Sequence, residues 1–583
     1  MTTSTQTRPQ PPEAEKHPHI STLHGETRHD DYAWLREKTD PKVIAYLEAE
    51  NAYADALTAD SAALQETLYN EMLARIQQTD LSVPYPKGGW LYYARTEEGK
   101  QYPTYCRRRG TMDAPEEVLL DLNAMAEGLA FMAVGDFEVS PDGSKLAYST
   151  DTTGYRQYVL HVKDLARGQD LADTAERVTS IAWCADGRTL FYTQEDETSK
   201  RSYRLYRHVL GDAAHELLEE ETDERFGIGV HRTRSGEWLV ESRSSHTTCE
   251  TRVLRADDPT GAWTLVAPRV QDREYYVDHR GDLFYIMVND TSREFRVVTA
   301  PVATPDPAHW TEFVAARDGV TIRGVSCFAD FIVLSEREAA LPHLTVMDLK
   351  RDTSIRVQFA EPAYSVGSST NEEFAATTFR YAYQSFVTPP SVFDLDLATR
   401  NSTLLKRTAV LGGWDASRYA MQRISAKAAD GTAIPVTLLY RKGTKPDGSA
   451  PCLLYAYGSY GISIDVTFSS ARYSLVDRGA VFALAHIRGG GDLGQRWHDD
   501  GRMAKKMNTF TDFIACAEHL VASKWTSRDR LVIQGGSAGG LLMGAVTNLQ
   551  PDLFAGVVSQ VPFVDVINTM LDTSLPLTVG EYE

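Results

Sequence analysis

Nowhere in the 583 residues do about 18 apolar side chains run together, so no segment can satisfy its backbone while crossing a bilayer as a helix. The start, Met1 to Pro18, lacks the apolar run that a secretory signal carries between its basic end and its cleavage site. Cysteine is scarce. The six residues Cys106, Cys184, Cys249, Cys327, Cys452 and Cys516 lie far apart with no C-x-x-C, which suits separate reduced thiols rather than a disulfide framework or a zinc site. Basic residues are outnumbered, 60 Lys and Arg against 80 Asp and Glu, and the formal charge of −20 repels phosphate backbones. These absences predict a soluble, cytoplasmic chain with neither nucleic acid nor membrane as a partner. His17, His19, His24 and His29 are spaced irregularly in a polar, proline-containing tail and read as solvated, so no metal and no cofactor is assigned.

What is present divides into three textures. From Asp40 to Ile76, good helix formers carry apolar residues at Val43, Ile44, Leu47, Tyr53, Leu57, Leu64, Leu68 and Met72, which predicts an N-terminal helical segment. After Pro84 and Pro86 come short runs of Tyr, Val, Phe, Leu and Thr cut by turn residues, the chemistry of strands. Within them a turn with Gly or Asp followed by an apolar strand recurs, anchored at Trp90, Leu146, Leu190, Trp238, Leu283, Phe331 and Phe374. The alternative is a sandwich of ordinary hairpins, but a period of about 40 to 50 residues is what a four-stranded propeller blade occupies, and seven anchors predict seven blades. From about residue 409, short apolar strands alternate with helices, predicting a mostly parallel sheet covered on both faces. Its expected elements are a hairpin turning at Asp430-Gly431, strands at 451–457, 480–487, 531–534 and 555–560, and helices at 469–477, 510–522 and 539–548.

The chemistry concentrates in one of these strand-to-helix junctions. Arg530-Leu-Val-Ile-Gln534 reads as a buried strand running into Gly535-Gly-Ser537-Ala-Gly-Gly540, and Leu541 to Asn548 reads as helix, which is G-x-S-x-G in strand-turn-helix context. Such a turn leaves no room for neighbouring side chains and holds the serine in a strained backbone conformation. The geometry sets Ser537 Oγ at the strand tip and aims the Ala538 N–H where an oxyanion forms, with the helix N-terminus adding favourable potential. A phosphate-binding loop is the competing reading, but the Lys-Ser/Thr pair that grips phosphate and magnesium is missing after the glycines.

A propeller pattern followed by this elbow resembles the prolyl oligopeptidase family of serine peptidases, and within it the oligopeptidase B branch. The resemblance runs from His24-Gly-Glu-Thr-Arg-His-Asp-Asp-Tyr-Ala-Trp-Leu-Arg36 through Tyr455-Ala-Tyr-Gly-Ser-Tyr-Gly461 and Ile487-Arg-Gly-Gly-Gly-Asp-Leu-Gly494 to the elbow. It implies an α/β-hydrolase domain at 409–583, incomplete at its C-terminus, a seven-bladed β-propeller at 81–408, and residues 1–80 packing on the hydrolase domain. It also implies that Tyr457 supplies the second oxyanion donor. At the end of the chain, Pro576-Leu-Thr-Val-Gly-Glu581-Tyr-Glu583 resembles the oligopeptidase B segment whose two glutamates recognise basic substrate residues, which makes Glu581 and Glu583 the cation-binding candidates. The prolyl branch stacks a tryptophan on proline in this stretch, whereas the last tryptophan here is Trp525, ahead of the elbow.

The resemblance breaks at the base. A serine hydroxyl needs a histidine to take its proton and a carboxylate to orient that histidine, and the family places both after the serine. No residue from Ala538 to Glu583 is histidine, and His486, His498 and His519 all precede the elbow. The sequence therefore reads as a truncated serine endopeptidase directed at short peptides after Arg or Lys, nearly inactive as it stands. A noncatalytic peptide-binding remnant and a prolyl-specific oligopeptidase are the alternatives.

Overall fold

Pro41 in the first turn and the Asp40 carboxylate, accepting from the Lys42 N–H at 2.8 Å, begin the helix Pro41–Thr58. The structure, a computed structural model, describes residues 9–575 and 578–583; residues 1–8 and Pro576-Leu577 of the terminal motif lie outside them. The single helical segment expected over 40–76 is two helices, because a 3-10 turn at Ala59–Ser61 separates Pro41–Thr58 from Ala62–Ala74. The Thr58 and Ser61 hydroxyls donate to the Ala54 and Thr58 carbonyls at 2.8 and 2.7 Å, the local competition by which short hydroxyl side chains loosen a helix. These elements belong to one compact unit ending at Ile76, and Gln77–Glu583 forms a second.

The second unit holds seven antiparallel sheets of consecutive strands, the first built from strands between Asp80 and Asp121 and the last from strands between Ser365 and Arg407. They are the seven blades of the propeller. Six of the seven anchors begin or nearly begin a strand; Trp238, Leu283 and Phe331 are first residues, and Leu146 and Leu190 second residues, of the second strand of their blades. The seventh misses. Phe374 lies in a turn ahead of the strand Thr378–Gln384, where its carbonyl accepts from the Ala329 N–H of the preceding blade at 2.9 Å. Each blade is made of its own stretch of chain, so blades one and seven meet through side chains rather than a shared strand. Lys406 Nζ reaches Asp80 at 2.6 Å, Lys87 Nζ reaches Glu372 at 2.9 Å, and Arg380 donates to the Pro84 carbonyl at 2.8 Å.

The hydrolase sheet has six strands in the order Tyr419–Lys427, Ala433–Arg441, Val481–Ala485, Cys452–Tyr455, Leu531–Gly536 and Gly556–Gln560. The first two form the expected hairpin, and the last four run parallel. Val436, Leu454, Ala483 and Ile533 are fully buried and form a core with Phe513, Leu520, Leu542 and Met543 from the two flanking helices, Met507–Ala522 and Ala538–Leu549. The helix expected at 469–477 contracts to the turn Tyr473–Val476, whose buried Tyr473 hydroxyl donates to the Phe386 carbonyl in the segment after a blade-seven strand. Gly556–Gln560 is an edge strand with Val557 and Val558 exposed. All six cysteines are buried and free. Among the described residues no helix is long and apolar enough to cross a membrane, and no group of three His, Cys, Asp or Glu is placed to hold a metal.

Candidate active site

The parallel pairing of Cys452–Tyr455 with Leu531–Gly536 sets Tyr455 opposite Gln534, so the residues just past both strand ends emerge together at the carboxyl edge of the sheet. One of them is Tyr457. The other is Ser537, exposed, with φ 56° and ψ −119°, a conformation that a side chain adopts only when its surroundings impose it. The imposing contacts are backbone ones: Ser537 donates its N–H to Gln560 O at 2.9 Å, while its carbonyl accepts from Gly540 and Phe563 at 2.8 and 3.1 Å. The glycines around it answer to close approach. A Cβ on Gly535 would stand 2.2 Å from Gly539 O, and one on Gly540 would stand 2.5 Å from Pro562 Cα. By contrast, a Cβ on Gly536 would meet nothing nearer than Gln560 O at 3.5 Å. Gly535→Ala is therefore expected to cost about 2–3 kcal/mol of stability and Gly536→Ala less than about 1 kcal/mol, as measured by urea unfolding.

Beside the serine stands the Tyr457 phenol; burial raises its pKa above the ordinary value and the nearby Ser537 hydroxyl draws it back. Ala538, buried, opens the following helix, so its N–H has no partner within that helix. Behind Tyr457, the turn Tyr457–Gly461 is held by two elements. Lys506 donates to Gly458 O at 2.7 Å and to Ser459 Oγ at 2.8 Å, and Gly461 N–H bonds Gly489 O at 3.1 Å. The Gly489 loop is anchored in turn by Arg488, whose guanidinium makes a bidentate pair with the fully buried Asp512 at 2.8 and 2.6 Å. The Asp512 hydrogen bonds hold that guanidinium above its usual pKa.

Ala538 also lines a cavity of about 690 Å³, together with Tyr460, Phe563, Met570, Glu581 and Glu583. The structure thus brings Ser537, Tyr457, Ala538, Glu581 and Glu583 to one place. The two glutamates differ. Glu581 is exposed and accepts from the Tyr460 hydroxyl at 2.9 Å, whereas the Glu583 side chain is only 4% exposed and accepts from the His246 backbone N–H at 3.0 Å. Burial, then the Glu581 hydrogen bond, raises the Tyr460 phenol. Other walls are cationic or neutral: burial pushes Lys506 down to about 8, and burial with Arg502 nearby pushes His498 down to about 4, which leaves that imidazole uncharged at neutral pH.

Sequence reasoning missed several of these residues. Tyr460 stood within a quoted motif, but nothing in its spacing revealed a link to Glu581; Arg225 and His246 come from propeller loops, where no local pattern marks a contact with a segment hundreds of residues away. No imidazole among the described residues is hydrogen-bonded to Ser537. His486 faces Asp492 at 3.0 Å and Thr437 at 3.1 Å in the core, so that His-Asp pair is engaged on both ring nitrogens.

Comparison with known proteins agrees with this architecture. Residues 11–408 match the prolyl oligopeptidase N-terminal beta-propeller domain, and residues 466–583 match the prolyl oligopeptidase family. Dipeptidyl aminopeptidase BI of Pseudoxanthomonas mexicana is 44% identical over 98% of this chain and 82% of its own length. Protease 2 of Moraxella lacunata is 36% identical over 98% of this chain and 84% of its own. Oligopeptidase B of Trypanosoma brucei, solved in a closed form with covalently bound antipain, superposes with a TM-score of 0.92 at 34% identity, covering 98% of this chain and 85% of that one. The chain belongs to the prolyl oligopeptidase family of serine peptidases.

Proposed function

We propose that the chain carries the acyl-transfer site of an endopeptidase that cleaves short peptides after Arg or Lys. Ser537 Oγ attacks the scissile carbonyl, the oxyanion is held by the Tyr457 O–H and the Ala538 N–H, and Glu581 and Glu583 receive the substrate cation. The amide C–N bond then breaks, and the serine proton passes through a base to the leaving amine. The observation that carries this reading is one cavity running from beside an exposed, backbone-strained serine to two carboxylates, one of them nearly fully buried. A buried carboxylate demands a cation, and Arg225, 3.8 Å away and beyond hydrogen-bond range, meets that demand only in part, which leaves a place for a substrate arginine or lysine side chain.

The test uses a version extended past Glu583 with an aspartate- and histidine-bearing segment. Arginyl-amide reporters are expected to exceed norleucyl and prolyl ones by about 100-fold in kcat/KM, and a better prolyl substrate would contradict the assignment. A second reading, a peptide binder without turnover, draws on the lack of an imidazole at Ser537. Calorimetry on the 583-residue chain separates it, since binding of an arginine peptide by a chain whose extended form stays inert supports the binder. The 44% identical relative bears the name of a dipeptidyl aminopeptidase, and the paired carboxylates also suit an α-ammonium. Loss of cleavage on N-acetylation of the substrate would favour that variant.

The cavity's charge also predicts a pH dependence. Burial pushes Lys506, which lines it, down to about 8, so raising the pH from 7 to 9 removes a positive charge from the cavity that also holds Glu581 and Glu583. Binding of N-acetyl-arginine amide is expected to tighten about two- to threefold over that range by calorimetry, and Lys506→Met is expected to flatten the change.

A further inference from the structure

Glu583 Oε1 is buried and has no hydrogen-bond partner, although the other oxygen accepts from His246 N–H. The nearest cation belongs to the protein itself. Arg225, on the loop between blades three and four, places one guanidinium nitrogen 3.8 Å from that oxygen, within ion-pair range and beyond hydrogen-bond range. Its other face is fixed: Asp223 accepts from Arg225 Nε and from a terminal nitrogen at 3.0 and 2.7 Å, a bidentate pair that sets the guanidinium plane. The side chain is 43% exposed, so the contact with Glu583 is screened on one side by water. Glu581, 2.9 Å from a neutral phenol, has no such counterion among the described residues, and the asymmetry between the two glutamates originates in the propeller.

Building on the basic-residue reading above, we propose that Arg225 is a specificity-determining residue that acts through Glu583: an internal guanidinium that partly neutralises the buried carboxylate and competes with the substrate's own cation. Glu581 is then the carboxylate available to a single basic side chain, and Glu583 is reached fully only by a ligand that displaces or outcompetes Arg225. A second arginine in the peptide is the ligand chemistry that does so. Because Arg225 is anchored to Asp223 rather than to Glu583, it can yield the carboxylate without losing its own partner.

The experiment is calorimetry on the full 583-residue chain with three blocked peptides, N-acetyl-Arg-Arg-amide, N-acetyl-Arg-amide and N-acetyl-norleucine-amide, at low and high salt. Arg225→Gln is expected to tighten the diarginine peptide about fivefold, less for the single arginine, and to leave the norleucine peptide unchanged. The gain should shrink at high salt and vanish in Arg225→Gln combined with Glu583→Gln, and Arg225→Lys should restore the original affinity. Weaker or unchanged diarginine binding in Arg225→Gln, with unfolding midpoints matched to the parent, overturns the proposal and makes Arg225 a support for the loop. If Arg225→Gln does not fold, Arg225→Lys and Asp223→Asn carry the test, the latter freeing Arg225 to close on Glu583 and weaken diarginine binding; no weakening overturns the proposal. A parent chain that fails to prefer arginine over norleucine counts against the basic-residue reading itself, whereas a preference without a gain on removing Arg225 counts against Arg225 alone.

Discussion

The 583-residue chain is expected to hydrolyse an arginyl-amide reporter about a million-fold more slowly than the same chain extended with an aspartate and a histidine at the family positions. The reason is local to Ser537. Its neighbour is a phenol, the oxyanion donor proposed above, which with its pKa raised by burial is a poor acceptor for the serine proton at neutral pH. No imidazole among the described residues bonds that hydroxyl, and both buried histidines with a carboxylate partner are engaged elsewhere, His486 between Asp492 and Thr437 and His208 between Asp173 and the Ala214 carbonyl in the propeller. Elbow and oxyanion donors alone leave the residual help of binding and electrostatics. The same deficit predicts no stoichiometric labelling by a phosphonofluoridate probe. Rapid labelling of Ser537 in the 583-residue chain would show that a base reaches it after all.

The second large effect is on stability. Asp512→Ala is expected to cost about 3–5 kcal/mol, because it strips a fully buried carboxylate from Arg488 and leaves the guanidinium in the core with only Asp430 as a charged partner. Asp512 also accepts from the Arg488 backbone N–H at 3.1 Å, so the loss reaches the Gly489 loop and, through the Gly461 bond to Gly489 O, the turn that carries Tyr457. The expected signature is a lowered urea midpoint accompanied by weaker binding of arginine peptides. An unchanged midpoint would mean that the pair contributes nothing net, as some buried ion pairs do.

What could be read from the sequence was whatever short-range chemistry encodes. The elbow was legible because Gly535, Ser537 and Gly540 answer to contacts within a few residues or with the adjacent strand, and the blades were legible because each is a local run of hairpins. Phe374 was placed in the wrong element because its hydrogen bond to Ala329 belongs to the neighbouring blade, and a hairpin rule sees only its own turn. The break at Ala59–Ser61 was hidden because its causes, the Thr58 and Ser61 hydroxyls, are ordinary helix surface residues by composition. Glu581 and Glu583 were nameable by resemblance, but their inequality was not. It depends on Tyr460, His246 and Arg225, and the last two approach from the propeller, so only the folded chain shows which carboxylate is buried and which meets water.

The most direct test of the account is to mix the extended chain briefly with an arginyl ester, quench in acid and map the mass of the peptide that bears residue 537. The account predicts an arginyl adduct on Ser537 that forms within the first turnover and disappears in Ser537→Ala. Turnover with an adduct elsewhere, or with none that Ser537→Ala removes, would contradict it.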